Sequence, residues 1–359
     1  MASPQNPYSG SQIYMSFCAK ELLSPNTTVS NWIDSYDPSN NAWCRHLTSI
    51  PELPQNHVLK SFSMVTIADN IYVIGGRLCH KMVSGDNTVE VEVETRLSVL
   101  CYNVRNDVWS KCSPMRAPRF DFACTVCNGK IYVAGGKTIL RSARGVSSAE
   151  VYDPALDQWE ALPSMNAARY KCVAVTWRGK VHVVGGFAGR SGDSWYTKER
   201  SSAEVYDSES EKWDLIVGMW QLDVPPNQIV AVDDTLFSSG DCLNAWKGHL
   251  EAYDRKLNIW NVVDRSNRQN LSHPIATSGD TVGNWGLVER IYLTLAAIGT
   301  HLYFLTGYKN PAEKSKLTSV VHVFDTSEKR RGFGWRSFEP TEEEEEKELC
   351  SHCGVAKIN

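Results

Sequence analysis

The chain has 359 residues, 42% of them hydrophobic, and a formal charge of -4 at pH 7. That composition supports a sizeable core, arranged as several domains or as one large all-β architecture, because length bounds domain number only softly. The mild charge gives no whole-chain case for nucleic acid or an anionic membrane as partner.

In chain order, residues 1–10, MASPQNPYSG, read as a disordered tail. They lack the basic start and apolar run of a secretory signal. The expected compartment is therefore reducing, cytoplasmic or nuclear, and the eleven cysteines are expected as free thiols. From residue 11 onward a repeated line sets the organisation, and internal repeats decide a fold before anything else does. The tripeptide-to-glycine line IYVIGG ends at Gly75-Gly76, IYVAGG at Gly135-Gly136 and VHVVGG at Gly185-Gly186. Weaker copies end at Ser239-Gly240 and Thr306-Gly307. A second line, a Tyr followed some way on by a Trp, comes after each: Tyr102 and Trp109, Tyr152 and Trp159, Tyr206 and Trp213, Tyr253 and Trp260. Phe324 and Trp335 form a stretched copy, and Tyr36 and Trp43 precede the first glycine pair.

Each unit reads as four short strands, of the type YKCVAVTW, KVHVVGG, SAEVYD and QWEAL. Asn128-Gly129 and Arg178-Gly179 are tight hairpin turns between the first two. The glycine pair lets strand 2 end in a sharp bend with no Cβ in the way. Tyr and Trp are bulky enough to fill the space between stacked sheets. The most apolar stretch, Ile291 to Tyr308, is broken by Gly299 and Gly307 and reads as two strands rather than a membrane span.

Glycine pair, Tyr-Asp and Trp at intervals near ~50 residues resemble the kelch repeat. The resemblance covers nearly the whole chain and implies an all-β, kelch-type β-propeller over 11–359, acting as a monomeric ring. WD40 repeats, the nearest competitor, would need regular Gly-His and Trp-Asp pairs; the one Trp-Asp, at Trp213-Asp214, falls at the kelch Trp position. Six Tyr/Trp units against five glycine strands call for an explanation. GSQIYMSFC serves as a strand 2 without glycines, and Cys353 to Ile358 alternates like a strand 1. The expectation is six four-stranded blades, with the ring closed by the C-terminal strand pairing beside the N-terminal ones, which removes exposed sheet edges. The acidic stretch within 339–349, Glu342 to Glu346, is expected as a solvated loop before that strand.

SYDPSNNAW and VYDPALDQW, with SMNAARY and PMRAPRF, further resemble plant F-box/kelch proteins. The resemblance implies a ring that holds a protein target, linked there to ubiquitin-dependent degradation through an F-box. No amphipathic helix of F-box type is visible in the thirty or so residues before Tyr36. A metal-dependent kelch enzyme, of specifier-protein or oxidase type, is the alternative. The Glu-x3-Asp-x3-His iron pattern is absent, and the nine histidines are scattered. Cys350, His352 and Cys353 could form a zinc corner only with a partner from elsewhere, and Cys124 and Cys127 face opposite sides of a strand. Neither phosphate-loop nor GxSxG spacing occurs. The expectation is a binding protein without catalytic residues, cofactor or metal.

The strands alternate direction, so the 2–3 and 4–1 loops share one face. The 2–3 loops and the longest 4–1 loop run Arg77 to Ser98, Lys137 to Ser148, Phe187 to Ser202, Val262 to Arg290 and Tyr308 to Thr318. Long loops on a rigid scaffold are where recognition concentrates. Arginines and aromatics make the best anchors, which selects Arg77, Arg119, Arg141, Arg144, Arg169, Trp195, Tyr196, Trp246 and Tyr308. Arg119 and Arg169 recur at one repeat position and could instead tie neighbouring blades together. Lys137, Arg141 and Arg144 share a loop without an acid, so an acidic patch on the partner is expected.

Overall fold

The computed structural model describes residues 10–21, 29–84, 87–188, 200–222, 224–242, 250–263, 289–309, 317–327, 334–343 and 346–357. Among these residues the chain is all β, with no helix, and so no helix long and apolar enough to cross a membrane. The eleven cysteines are free thiols.

The first sheet holds β1 (Ser11–Ala19), β2 (Asn31–Asp37) and β3 (Ala42–Ser49). After β4 (His57–Lys60), the second sheet is built from β5 (Ser63–Ile67) and β6 (Asn70–Ile74). An excursion through β7 (Arg77–Ser84) and β8 (Asn87–Thr95) follows, and β9 (Val99–Asn103) and β10 (Val108–Cys112) complete that sheet. The third sheet is the most regular: β11 (Ala123–Cys127), β12 (Lys130–Ala134), β13 (Ala149–Asp153) and β14 (Gln158–Leu162). The short β15 (Arg169–Tyr170) and β18 (Phe187–Ala188) pair beside the fourth sheet, which is β16 (Val173–Trp177), β17 (Lys180–Val184), β19 (Ser202–Asp207) and β20 (Lys212–Val217). The fifth is β21 (Ile229–Val232), β22 (Thr235–Ser238), β23 (Glu251–Asp254) and β24 (Ile259–Val262). The sixth holds β25 (Glu289–Ile298), β26 (His301–Lys309), β27 (Leu317–Asp325), β28 (Trp335–Ser337) and β29 (Thr341–Glu343).

The last strand, β30 (Lys347–Lys357), returns to the first sheet, whose order is β3-β2-β1-β30. It runs antiparallel to β1, with Ile13 opposite Val355 and Phe17 opposite Leu349. This strand begins six residues before the expected Cys353. The reason is charge: Glu343 and Glu346 of the acidic stretch, and Glu348 beyond it, are held in ion pairs, while Glu342 is exposed as expected of a solvated stretch. Glu343 meets Arg45 at 2.7 Å and Lys347 at 2.6 Å, Glu346 pairs with Lys309 and Lys20, and Glu348 meets Lys60 at 2.8 Å and Lys81 at 2.6 Å. Each of these three carboxylates finds a cation on another part of the chain, while Glu344 and Glu345 lie outside the described residues.

Strand contacts between sheets link β30 with β5, β5 with β11, β11 with β16, β16 with β21, β21 with β25, and β25 with β30. The core lies between sheets. Tyr72 and Ile74 of the second pack on Ile131 and Tyr152 of the third; Tyr132 and Val151 of the third pack on Val183 and Tyr206 of the fourth. Ile13 and Phe17 of the first pack on Tyr303 and Leu305 of the sixth.

The expected Arg77–Ser98 loop is instead a hairpin, because its residues alternate Val and Glu and add to β4 as a three-stranded sheet, β4-β7-β8.

Candidate functional site

The repeat residues are occupied in holding the scaffold. In the third sheet, Gly135 and Gly136 have φ of 69° and 85°, which L side chains rarely adopt. A Cβ on Gly135 would also lie 2.7 Å from the Arg169 carbonyl oxygen. That close approach lets the Gly136 N–H donate to the Arg169 carbonyl at 2.7 Å, joining the third sheet to the segment leading into the fourth. The Tyr152 hydroxyl donates to Asp157 at 2.6 Å; Tyr36, Tyr102 and Tyr253 make the same bond to Asn41, Asp107 and Asn258. Each acceptor sits five residues on, at positive φ in the 3–4 turn. The Trp indole N–H bonds the preceding sheet: Trp159 donates to the Ser113 carbonyl at 2.8 Å, Trp213 to that of Pro163 at 2.8 Å and Trp260 to that of Met219 at 2.6 Å.

Four of the expected anchors are engaged within the scaffold. Arg119 and Arg169 are buried, at 1% and 0% exposure. Arg119 donates to the Gly135 and Ser148 carbonyls at 2.9 and 3.0 Å and to Glu150 at 2.8 Å. Arg169 repeats this with Gly185, Ser202 and Glu204 at 3.0, 3.3 and 3.2 Å. These guanidiniums close the gap between incoming segment and sheet, where a planar fork of donors suits backbone carbonyls and a carboxylate together. Arg77 pairs with Glu92 at 2.6 Å and lies 5.5 Å over the Phe120 ring, so it joins the β7–β8 hairpin to the segment entering the third sheet. Lys137 likewise lies over the Tyr170 ring, at 4.0 Å. Tyr308 is buried, and that burial raises its hydroxyl pKa. Trp195, Tyr196 and Trp246 lie outside the described residues.

Arg141 and Arg144 remain exposed. Between them the Ser142 hydroxyl donates to the Arg144 carbonyl at 3.0 Å and accepts from its N–H at 3.2 Å, a local turn that carries both guanidiniums. Ile139, 70% exposed, stands at the head of the same loop, which sequence reading passed over because it weighed arginines and aromatics alone. The loop therefore offers an apolar side chain beside two cations.

A cavity of about 550 Å³ lies where β5, β11, β16, β21 and β30 approach one another. Cys124, Lys171, Gln228 and His352 are among its lining residues. His352 is open to the cavity by area, yet the strands around it enclose the ring and push its imidazole down to about 4, so it is neutral at pH 7. The Cys350-Ser351-His352-Cys353 cluster does not converge. Cys350 packs between the first two sheets, whereas the Cys353 Sγ reaches the Leu295 carbonyl of the sixth at 3.3 Å. Cys124 and Cys127 likewise join different core clusters. Among the described residues no group of three or more His, Cys, Asp or Glu is placed to hold a metal ion.

Repeated four-stranded sheets with a shared Gly-Gly, Tyr and Trp framework define a β-repeat protein. The chain belongs to the kelch-repeat family: the FKB95, Kelch-repeats domain matches residues 23–286. It is 33% identical over 131 residues to the Arabidopsis thaliana F-box/kelch-repeat protein At1g16250, covering 35% of this chain and 31% of that one. Against F-box/kelch-repeat protein SKIP30 of the same plant it is 34% identical over 143 residues, 38% of each. Kelch-like protein 7 of Rattus norvegicus is 40% identical over 215 residues, 58% of this chain and 31% of that protein. The matched stretches thus span about a third of these relatives.

Proposed function

We propose that the chain is a six-bladed ring, closed between β1 and β30, that recognises a protein target as a substrate adaptor does. Its partner docks on the face carrying the 2–3 loops, with an acidic patch against Arg141 and Arg144. Of the expected tail, residues 1–10, residues 1–9 lie outside the described residues; the adaptor works as a monomer in the cytoplasm or nucleus, within ubiquitin-dependent degradation. The observation that carries the reading is the division of labour among the arginines. Arg119 and Arg169 are consumed by the scaffold, while Arg141, Arg144 and Ile139 stand exposed on one loop. The cyclic order of inter-strand contacts supports the ring, and the F-box/kelch-repeat relatives support the adaptor role.

The test is a pair of variants against a partner captured by the full chain and then purified. Ile139→Ser with Arg141→Ala and Arg144→Ala weakens binding at least about tenfold, the usual loss at an interface hot spot, with the melting temperature held. Asp69, Asn128 and Arg178 changed to Ala, on the 1–2 turns, leave binding intact. Loss of binding only in the second variant overturns the choice of face. Stoichiometric iron or copper in purified protein overturns the adaptor in favour of a metal-dependent enzyme.

A further inference from the structure

The three-stranded sheet β4-β7-β8 ends in β8, and among the described residues no strand lies on its far side. On such an edge the backbone N–H and C=O groups of alternate residues, Glu90 and Glu92 here, point away from β7, a template for another strand. The sheet is not a loose flap. Its inner face is sealed by Val58 and Cys79, both 0% exposed, and by Lys81, 1% exposed. Lys81 donates to the Ala19 carbonyl at 2.5 Å and to Glu348 at 2.6 Å, which fixes β7 to the seam between β1 and β30.

The two faces of β8 differ in chemistry. Val89, Val91 and Val93 are 40%, 40% and 47% exposed, and Met82, paired with Val89, is 39% exposed. Alternation puts Glu90, Glu92 and Glu94 on the opposite side. Glu90 pairs with Lys60, Glu92 with Arg77 and Glu94 with Arg96. Glu94 remains 49% exposed even so.

Charge selects the occupant. A second copy added antiparallel in the register that overlaps all three valines has Val91 on the two-fold axis and keeps them on one face. Glu90 would then face Glu92 twice, and like charges directly opposite destabilise a strand pair. An incoming strand with Lys or Arg at alternate positions meets the glutamates with opposite charge, and its intervening apolar residues extend the valine stripe. Lys137, at the root of the Ile139–Arg144 loop, is within electrostatic reach of both Arg77 and Glu92, so the edge adjoins the loop surface already assigned.

We propose that the outer edge of β8 takes up an extended segment of the partner protein as an added strand, one in which basic and apolar residues alternate. This rests on the protein-binding reading above and names the part of the partner that the sheet edge holds.

The test uses the full chain and a fluorescein-labelled nonapeptide that alternates Lys and Val, with fluorescence anisotropy as readout. A peptide of the same composition, its valines in one block, and an alternating Glu–Val peptide serve as controls. The alternating Lys–Val peptide binds and the controls do not. Glu90→Pro, which removes a backbone donor that points away from β7, weakens binding about tenfold, the equivalent of ~1.4 kcal/mol, and Glu90→Gln separates the lost charge from the lost donor by weakening it less. Val89→Thr with Val91→Thr and Val93→Thr keeps strand-forming residues, removes the apolar stripe and weakens binding by at least about threefold. Asn128→Ala with Arg178→Ala, on the 1–2 turns, leaves peptide binding unchanged. Equal binding to Glu90→Pro and the unaltered chain overturns the proposal, as does equal binding of the blocked peptide. A dimer of the chain that Glu90→Pro dissociates also overturns it, by making a second copy the occupant. The purified partner separates the two readings: if it is lost by Arg141→Ala with Arg144→Ala but retained by Glu90→Pro, the adaptor stands and the strand addition falls.

Discussion

The third and fourth sheets hold themselves together by one recurring set of bonds, whereas the first sheet uses another set for the same need. Glu150 and Glu204, each two residues before the repeat Tyr, are met by Arg119 and Arg169 from the segment entering their own sheet. Asp34 holds the matching place before Tyr36 and is 0% exposed. No entering segment supplies it with an arginine. Lys347 on β30 does so instead, at 2.8 Å, with Arg45 at 3.2 Å. Burial pulls the Asp34 carboxyl up, but the two cations and the His46 N–H outweigh it and hold it below the usual carboxylate range. The position demands a cation because a lone buried carboxylate is costly; which element supplies it is free to change.

Removing residues 350–359 is the strongest way to break the contrast. It takes away most of β30, leaves the β1 edge bare and should abolish cooperative melting in calorimetry, while an equally long cut within residues 1–10 should not. Next come single breaks of buried pairs. Glu204→Ala or Lys347→Ala strands a charge and should cost about 3–5 kcal/mol in denaturant unfolding. Arg169→Met with Glu204→Leu should restore most of that loss. Equal costs in both sheets would establish that the two arrangements are equivalent; a cheap Lys347→Ala would show the first sheet to be the weaker.

Acid should sharpen the difference further. Burial raises the Glu348 carboxyl, but hydrogen bonds from Lys60 and Lys81 reverse the effect and hold it low; Lys309 and Lys20 do the same for Glu346. Carboxyls depressed in the folded state stabilise it fully above the unfolded glutamate pKa, about 4.3, and lose that contribution as pH falls through the lower folded values. Melting temperature should therefore drop below about pH 4, and Glu346→Gln with Glu348→Gln should flatten that drop while lowering stability at pH 7. The smallest effect is Tyr152→Phe, which deletes one hydroxyl bond and should cost about 1 kcal/mol.

The period, the four-strand unit and the role of GSQIYMSFC beside the last strand were legible because they rest on local alternation and bulky-residue spacing. What failed was anything set by distant partners. The recurrence of Arg119 and Arg169 at one repeat position allowed a scaffold role, but nothing near Arg119 says that Glu150 and two carbonyls will enclose it. Glu346, at the end of the acidic run, and Glu348 beyond it looked solvated because their cations, Lys309 and Lys20, Lys60 and Lys81, lie elsewhere in the chain. The β7–β8 hairpin did carry a signal: TVEVEVET alternates as cleanly as any strand in the chain. Its length and acidity suggested a loop.

The pairing of β1 with β30 has a consequence for synthesis. Cys18 and Glu348 are neighbours across the sheet though 330 residues apart in sequence. At the ~5–20 residues per second of a translating ribosome, β1 waits on the order of tens of seconds for its partner strand to emerge. During that interval its apolar face, Ile13, Met15 and Phe17, has no cover from β25 and β26 either. The nascent chain should therefore need a chaperone most while its middle repeats are already folding, and ribosome-bound chains stalled before residue 347 should be captured by holdases far more than chains released at full length.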